Sequence, residues 1–181
     1  QGMSGGQAIG VLGGGAWGTA LAQMLASDGT AVRLWAFEGD VVAAINTDHA
    51  NPLFLPGVTL HPSISATSDL TDLGDCAAIL VVAPAQHVAR LLAGLPDQGQ
   101  PLILCSKGME QGSARLMNEV VEEAGWSGPL AVLSGPTFAH EVGAGLPAAV
   151  TLAAQDLATA ESLAARLARP ALQWREIATD H

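Results

Sequence analysis

Three glycines recur at short spacing in Gly13-Gly14-Gly15-Ala16-Trp17-Gly18. Gly13, Gly15 and Gly18 satisfy G-x-G-x-x-G, and each place has a physical need for glycine. Gly13 permits a tight turn out of a strand, Gly15 lets the backbone approach a pyrophosphate, and Gly18 lets a following helix pack against that strand. The helix then aims free N–H groups and the positive end of its dipole at the phosphates. A glycine turn of purely structural purpose is the alternative. Trp17, inside this loop, either covers a bound cofactor or anchors the core. Glu38 follows Gly18 by about 20 residues, where an acidic side chain binds both ribose hydroxyls of NAD and repels the 2′-phosphate of NADP. Glu38 could equally be a solvated loop glutamate.

Lys107 is the only lysine among seven basic residues. It stands in Ser106-Lys107-Gly108-Met109-Glu110, just past the apolar run Leu102 to Cys105. An ammonium at a strand end can hold a phosphate or polarise a carbonyl; an ordinary surface lysine is the alternative. Ser134-Gly135-Pro136-Thr137-Phe138-Ala139 follows another apolar run. Its Gly-Pro step fixes a turn that would expose N–H groups and the Thr137 hydroxyl, although taken alone it reads as a loop. His49, His61, His87, His140 and His181 show no metal-ligand spacing, and His140-Glu141 lacks the second histidine of H-E-x-x-H. No G-x-S-x-G elbow occurs either. No metal is expected.

The elements needed to position these residues alternate. Strands are expected over about 8–13, 31–35, 77–83, 102–105, 130–133, 148–153 and 172–177. Helices are expected over 17–27, 39–47, 86–94, 113–124 and 156–167, with a proline-rich loop over 48–63. Continuous apolar strands such as Ala77 to Ala83 belong to sheets covered on both faces. The alternation therefore implies an α/β fold with a doubly wound, mainly parallel sheet.

Composition narrows the function. Apolar residues make up 49% of 181, enough for one sizeable core. Acidic residues outnumber basic ones 17 to 7, a net charge of −10 without any basic run, which argues against nucleic-acid binding. The longest purely apolar run, Cys76 to Ala83, is far short of the roughly 20 residues of a membrane span. Cys76 and Cys105 are expected as buried free thiols, in keeping with a reducing cytoplasm. Gln1-Gly2 ahead of Met3 reads as the scar of a cleaved tag, so residues 1–6 stand outside the expected Rossmann-type domain of 7–181.

Four segments together resemble bacterial NAD(P)-dependent glycerol-3-phosphate dehydrogenase: residues 13–22, Asn51-Pro52-Leu53-Phe54-Leu55-Pro56-Gly57-Val58, Ser106-Lys107-Gly108, and 133–142 with Gly145-Leu146-Pro147. The resemblance implies an enzyme that reduces dihydroxyacetone phosphate to sn-glycerol 3-phosphate, a phospholipid precursor. It implies Ala16, Trp17, Phe37, Phe54, Pro84 and Ala139 at an NAD or NADP cofactor, beside Gly13, Gly15, Gly18 and Glu38. Lys107, Gly135 and Thr137 would meet the substrate, with Lys107 near both ligands. Three positions depart from the family pattern: Ala16 and Ala85 stand where serine is common, and Phe37 where Arg or His can pair with a 2′-phosphate. Phe37 and Glu38 together lean to NAD. The resemblance also implies a second, helical substrate domain that carries the general-acid lysine, absent from this chain, and a possible homodimer in the full-length form. A non-catalytic dinucleotide-sensing module stays open, as does a related hydroxyacid or nucleotide-sugar dehydrogenase.

Overall fold

The computed structural model describes residues 8–107, 111–135, 139–170 and 172–178. The chain runs β1 (Ile9–Leu12), α1 (Ala16–Ala26), β2 (Val32–Trp35), α2 (Gly39–Asp48), β3 (Ile64–Thr67), a 3-10 turn (Leu70–Leu73), β4 (Ala78–Val81), α3 (Ala85–Gly94), β5 (Leu102–Lys107), α4 (Gln111–Ala124), β6 (Leu130–Gly135), α5 (Ala139–Gly143), β7 (Ala148–Ala154), α6 (Leu157–Leu167) and β8 (Leu172–Ala178). The strands form one eight-stranded sheet in the order β3-β2-β1-β4-β5-β6-β7-β8. β1 to β6 are mutually parallel, β7 runs antiparallel to β6, and β8 is parallel to β7.

Residue parity assigns the two faces. Successive side chains of a strand point to opposite sides. Ile9, Val11, Leu80, Ile103 and Cys105 pack on one side with Leu21 and Leu25 of α1, Ile45 of α2 and Leu163 of α6. Leu12, Ile79, Val81, Leu102 and Leu104 pack on the other with Val88 and Leu91 of α3 and Val121 of α4. Both faces of the central strands are thus covered, which is why β1 and β4 are apolar at every position. Cys76 and Cys105 are free and buried. Burial pushes the Cys76 thiol up to about 11 and raises Cys105 as well.

The alternation expected from the sequence is present, with three additions. β3 and the 3-10 turn follow the proline-rich loop, where the sequence suggests no element. β3 is a sheet-edge strand whose only fully buried residue is Ile64, so it carries too little apolar pattern to announce itself. α5 occupies Ala139–Gly143, within a segment that reads as loop. It packs on α1 instead of crossing the sheet, and β7 consequently returns antiparallel.

Candidate dinucleotide site

Strand order reverses direction between β1 and β4, and ligands of open α/β sheets lie outside the carboxyl ends of the strands at such a point. A cleft of about 410 Å³ opens there. Its walls come from the glycine turn after β1 (Gly13 to Gly18), the end of β2 (Trp35, Phe37, Glu38), Phe54 of the proline-rich loop, and the segment joining β4 to α3 (Val82, Ala83, Pro84, His87).

The glycines divide their labour as the motif requires. Gly13 has φ +134°, a conformation that L side chains rarely adopt. A Cβ on Gly18 would overlap the Gly13 carbonyl oxygen, so α1 can pass β1 this closely only with glycine there. Gly15 is different: a Cβ on it would meet nothing within 4 Å. No contact within the protein demands glycine at that place, and the open space lies over the helix N-terminus. Gly15 is the N-cap of α1 with no side-chain cap, and the first turn has no acidic residue. Thr19 is the first residue of the turn whose N–H finds an intrahelical carbonyl, that of Gly15 at 3.0 Å. The amides before it and the helix dipole are left to face an anion. The indole N–H groups of Trp17 and Trp35 are also buried without a partner among the described residues, and both rings line the cleft. Leftover donors around an open glycine approach fit a phosphate-bearing dinucleotide.

The proline-rich loop is bolted to this turn by Asn51, which is 1% exposed. Its Nδ2 donates to the Gly14 carbonyl at 3.0 Å and to Thr19 Oγ1 at 2.8 Å. Its Oδ1 accepts from the Phe54 N–H at 3.3 Å. One buried amide therefore fixes both the glycine turn and the loop that brings Phe54 to the cleft. From the other side, α5 braces the loop through a 2.9 Å contact between His140 Nε2 and the Pro56 carbonyl.

Nine of the residues singled out from sequence line this one cleft: Gly13, Gly15, Ala16, Trp17, Gly18, Phe37, Glu38, Phe54 and Pro84. Ala139 lies outside that lining, buried at the start of α5 within the core cluster that holds α1. Lys107 ends β5 opposite Gly135 of β6, so these two candidates meet at adjacent strand ends. The Lys107 side chain and Thr137 fall outside the described residues. Gly14, Trp35, Val82, Ala83 and His87 line the cleft without having been singled out. All but His87 stand at or just past strand ends, the signal that could have found them. Asn51 carried only the weak signal of an Asn-Pro step. Among the described residues no group of three or more His, Cys, Asp or Glu could hold a metal, and no helix is long and apolar enough to cross a membrane.

Comparison with known proteins agrees with this geometry. The family model for the NAD-dependent glycerol-3-phosphate dehydrogenase N-terminus matches residues 8–160. A glycerol-3-phosphate dehydrogenase (NAD(P)+) of Sphingopyxis alaskensis is 57% identical over 162 residues, covering 90% of this chain and 49% of that protein. One from Caulobacter vibrioides is 56% identical over 165 residues, covering 90% and 50%. The chain thus spans about half the length of the curated relatives it matches. The crystal structure of glycerol-3-phosphate dehydrogenase from Coxiella burnetii superposes with TM-score 0.81 at 34% identity, covering 94% of this chain and 54% of that one. A UDP-D-ManNAc dehydrogenase from Pyrococcus horikoshii shares the fold at 18% identity, with TM-score 0.74 over 96% of this chain and 47% of that one. Matched by the family model over most of its length, the chain belongs to the N-terminal domain family of NAD-dependent glycerol-3-phosphate dehydrogenases.

Proposed function

We propose that this chain is the cofactor-binding part of an enzyme that reduces dihydroxyacetone phosphate to sn-glycerol 3-phosphate, with NADH preferred over NADPH. The observation that carries the proposal is the cleft at the sheet's reversal point, where Gly15 leaves open the approach to an uncapped helix N-terminus. The pyrophosphate would rest on the first turn of α1, between Gly13, Gly15, Ala16, Trp17 and Gly18. The adenosine would lie toward Phe37 and Glu38, with Phe54 and Pro84 on the remaining sides, and Ala139 would back the site from the core beside α1. A bound nicotinamide supplies the hydride; the chain's own residues bind, orient and exclude water.

Lys107 and Gly135, side by side at the ends of β5 and β6, would hold the phosphorylated ketone next to the cofactor, with Thr137 contributing its hydroxyl. In a chain of net charge −10, the Lys107 ammonium and the helix N-termini would supply positive potential at those strand ends. The lysine that protonates the developing alkoxide would belong to a second, helical domain. A cytoplasmic enzyme, dimeric in its full-length form and serving phospholipid synthesis, completes the proposal.

The test is dihydroxyacetone-phosphate-dependent oxidation of NADH by the full-length protein and by its Lys107→Ala variant. The variant should lose at least about 100-fold in kcat/KM, a loss near 2.7 kcal/mol. A change under about threefold would make Lys107 a surface residue, and absence of turnover in the unmutated protein would refute the activity.

A further inference from the structure

At the end of β2 the Phe37 ring is 50% exposed, although it lines the cleft. It meets Trp35 edge-on at 4.5 Å and His87 edge-on at 5.6 Å. The Cζ of Arg90, one turn further along α3 than His87, sits 5.4 Å from the ring centroid. Arg90 Nη2 lies 3.4 Å from His87 Nδ1. A guanidinium can only donate, so at this contact Nδ1 is the acceptor. No carboxylate among the described residues pairs with Arg90, in a chain that carries 17 of them. Glu38 is thus the one carboxylate that lines the cleft, and the Arg90 guanidinium stands against two lining residues, Phe37 and His87, without an ionic partner among the described residues.

Glu38 alone would reject a 2′-phosphate. A guanidinium is a flat fork of donors that matches phosphate oxygens two at a time, and it is weakly hydrated, so it releases water readily to do so. We propose that Arg90 is a cofactor-specificity residue. Held against Phe37 and His87, it takes the 2′-phosphate of NADPH and so lets this pocket accept both cofactors despite Glu38. This inference rests on the cleft being the dinucleotide site. It assigns to α3 a role that the end of β2 cannot perform here, since Phe37 offers no charge.

The test uses the full chain and a variant that keeps the packing. Arg90→Met removes the charge and keeps an unbranched apolar side chain at that place on α3. Titration with NADH and NADPH in parallel should show NADPH affinity falling at least about tenfold, with NADH affinity changed by less than about twofold. Raising salt should weaken NADPH binding to the unmutated chain more than NADH binding, and the variant should lose that difference. Equal weakening of both cofactors would overturn the inference, since Arg90 would then serve adenine stacking or packing alone. An unchanged NADPH-to-NADH ratio would overturn it too, as would NADPH binding to the unmutated chain more than about 100-fold weaker than NADH. If the unmutated chain binds neither cofactor, the dinucleotide reading falls and this inference with it. If it binds both with a ratio indifferent to Arg90, only the inference falls.

Discussion

Removing the Asn51 side chain should damage cofactor binding and stability together, because one amide serves both. In Asn51→Ala the Gly14 carbonyl loses a 3.0 Å donor and keeps only the longer 3.3 Å one from Thr19 Oγ1. The Phe54 N–H loses its acceptor, and the Thr19 hydroxyl, itself fully buried, loses its donor. Each neutral hydrogen bond contributes about 1 kcal/mol net, and a buried group left unpaired costs about 1–3 kcal/mol. With three groups affected and some relaxation of the loop, the expected loss is about 2–4 kcal/mol. Urea unfolding should show a lower midpoint with an unchanged slope. At denaturant-free conditions, where the variant remains folded, NADH should bind at least about tenfold more weakly, since the glycine turn and Phe54 lose their shared anchor. A double-mutant cycle with Thr19→Val should give a coupling of about 1 kcal/mol. A stability loss under about 0.5 kcal/mol, with cofactor affinity intact, would show that Asn51 does not anchor the turn.

Gly18→Ala should be far worse for the fold than Gly15→Ala. The first would drive a methyl into the Gly13 carbonyl, and its thermal midpoint should drop by many degrees. The second adds its methyl to open space at φ −73°, so circular dichroism and melting should barely change. The two thiols should resist Ellman's reagent in the folded chain at pH 8 and react fully in urea; rapid labelling of the folded chain would contradict their burial. Cys76 has its folded value raised to about 11 from an ordinary 9.0, so the neutral thiol is the form that folding favours. Its contribution to stability is present below pH 9 and should be lost as pH climbs from 9 to 11, which urea midpoints at successive pH values would show.

The sheet and the glycine turn are legible in the sequence because their signals are local. A continuous apolar run, a glycine triplet and an amphipathic helix all declare themselves within about a dozen residues. β3 escaped because an edge strand needs little apolar surface, and Asn46 helps to hold it through a side chain that donates to the Ala66 carbonyl and accepts from its N–H. α5 escaped because five residues carry too little periodicity to stand out. In the site, the glycines and Glu38 followed from position relative to strand ends, whereas Pro84 came with the family resemblance. Phe54 needed the family resemblance, since nothing local brings a loop residue to a cleft. Asn51 and Arg90 were beyond both. Asn51 acts on Gly14 across 37 positions, and Arg90 of α3 meets Phe37 just past the end of β2. Contacts of that kind are set by tertiary packing and leave no pattern in the chain.

The open approach at Gly15 is where the pyrophosphate of the proposed dinucleotide would rest. Trp17 and Trp35 line the same cleft, so energy transfer from tryptophan to bound NADH reports occupancy directly. The most direct measurement is this titration on the unmutated chain and on Gly15→Ala, with melting curves recorded for both. Saturable NADH binding is expected for the unmutated chain, with at least about tenfold weaker binding by a variant that melts within a few degrees of it. Equal NADH affinity in the two chains, or no saturable binding by the unmutated chain, would contradict this placement of the pyrophosphate.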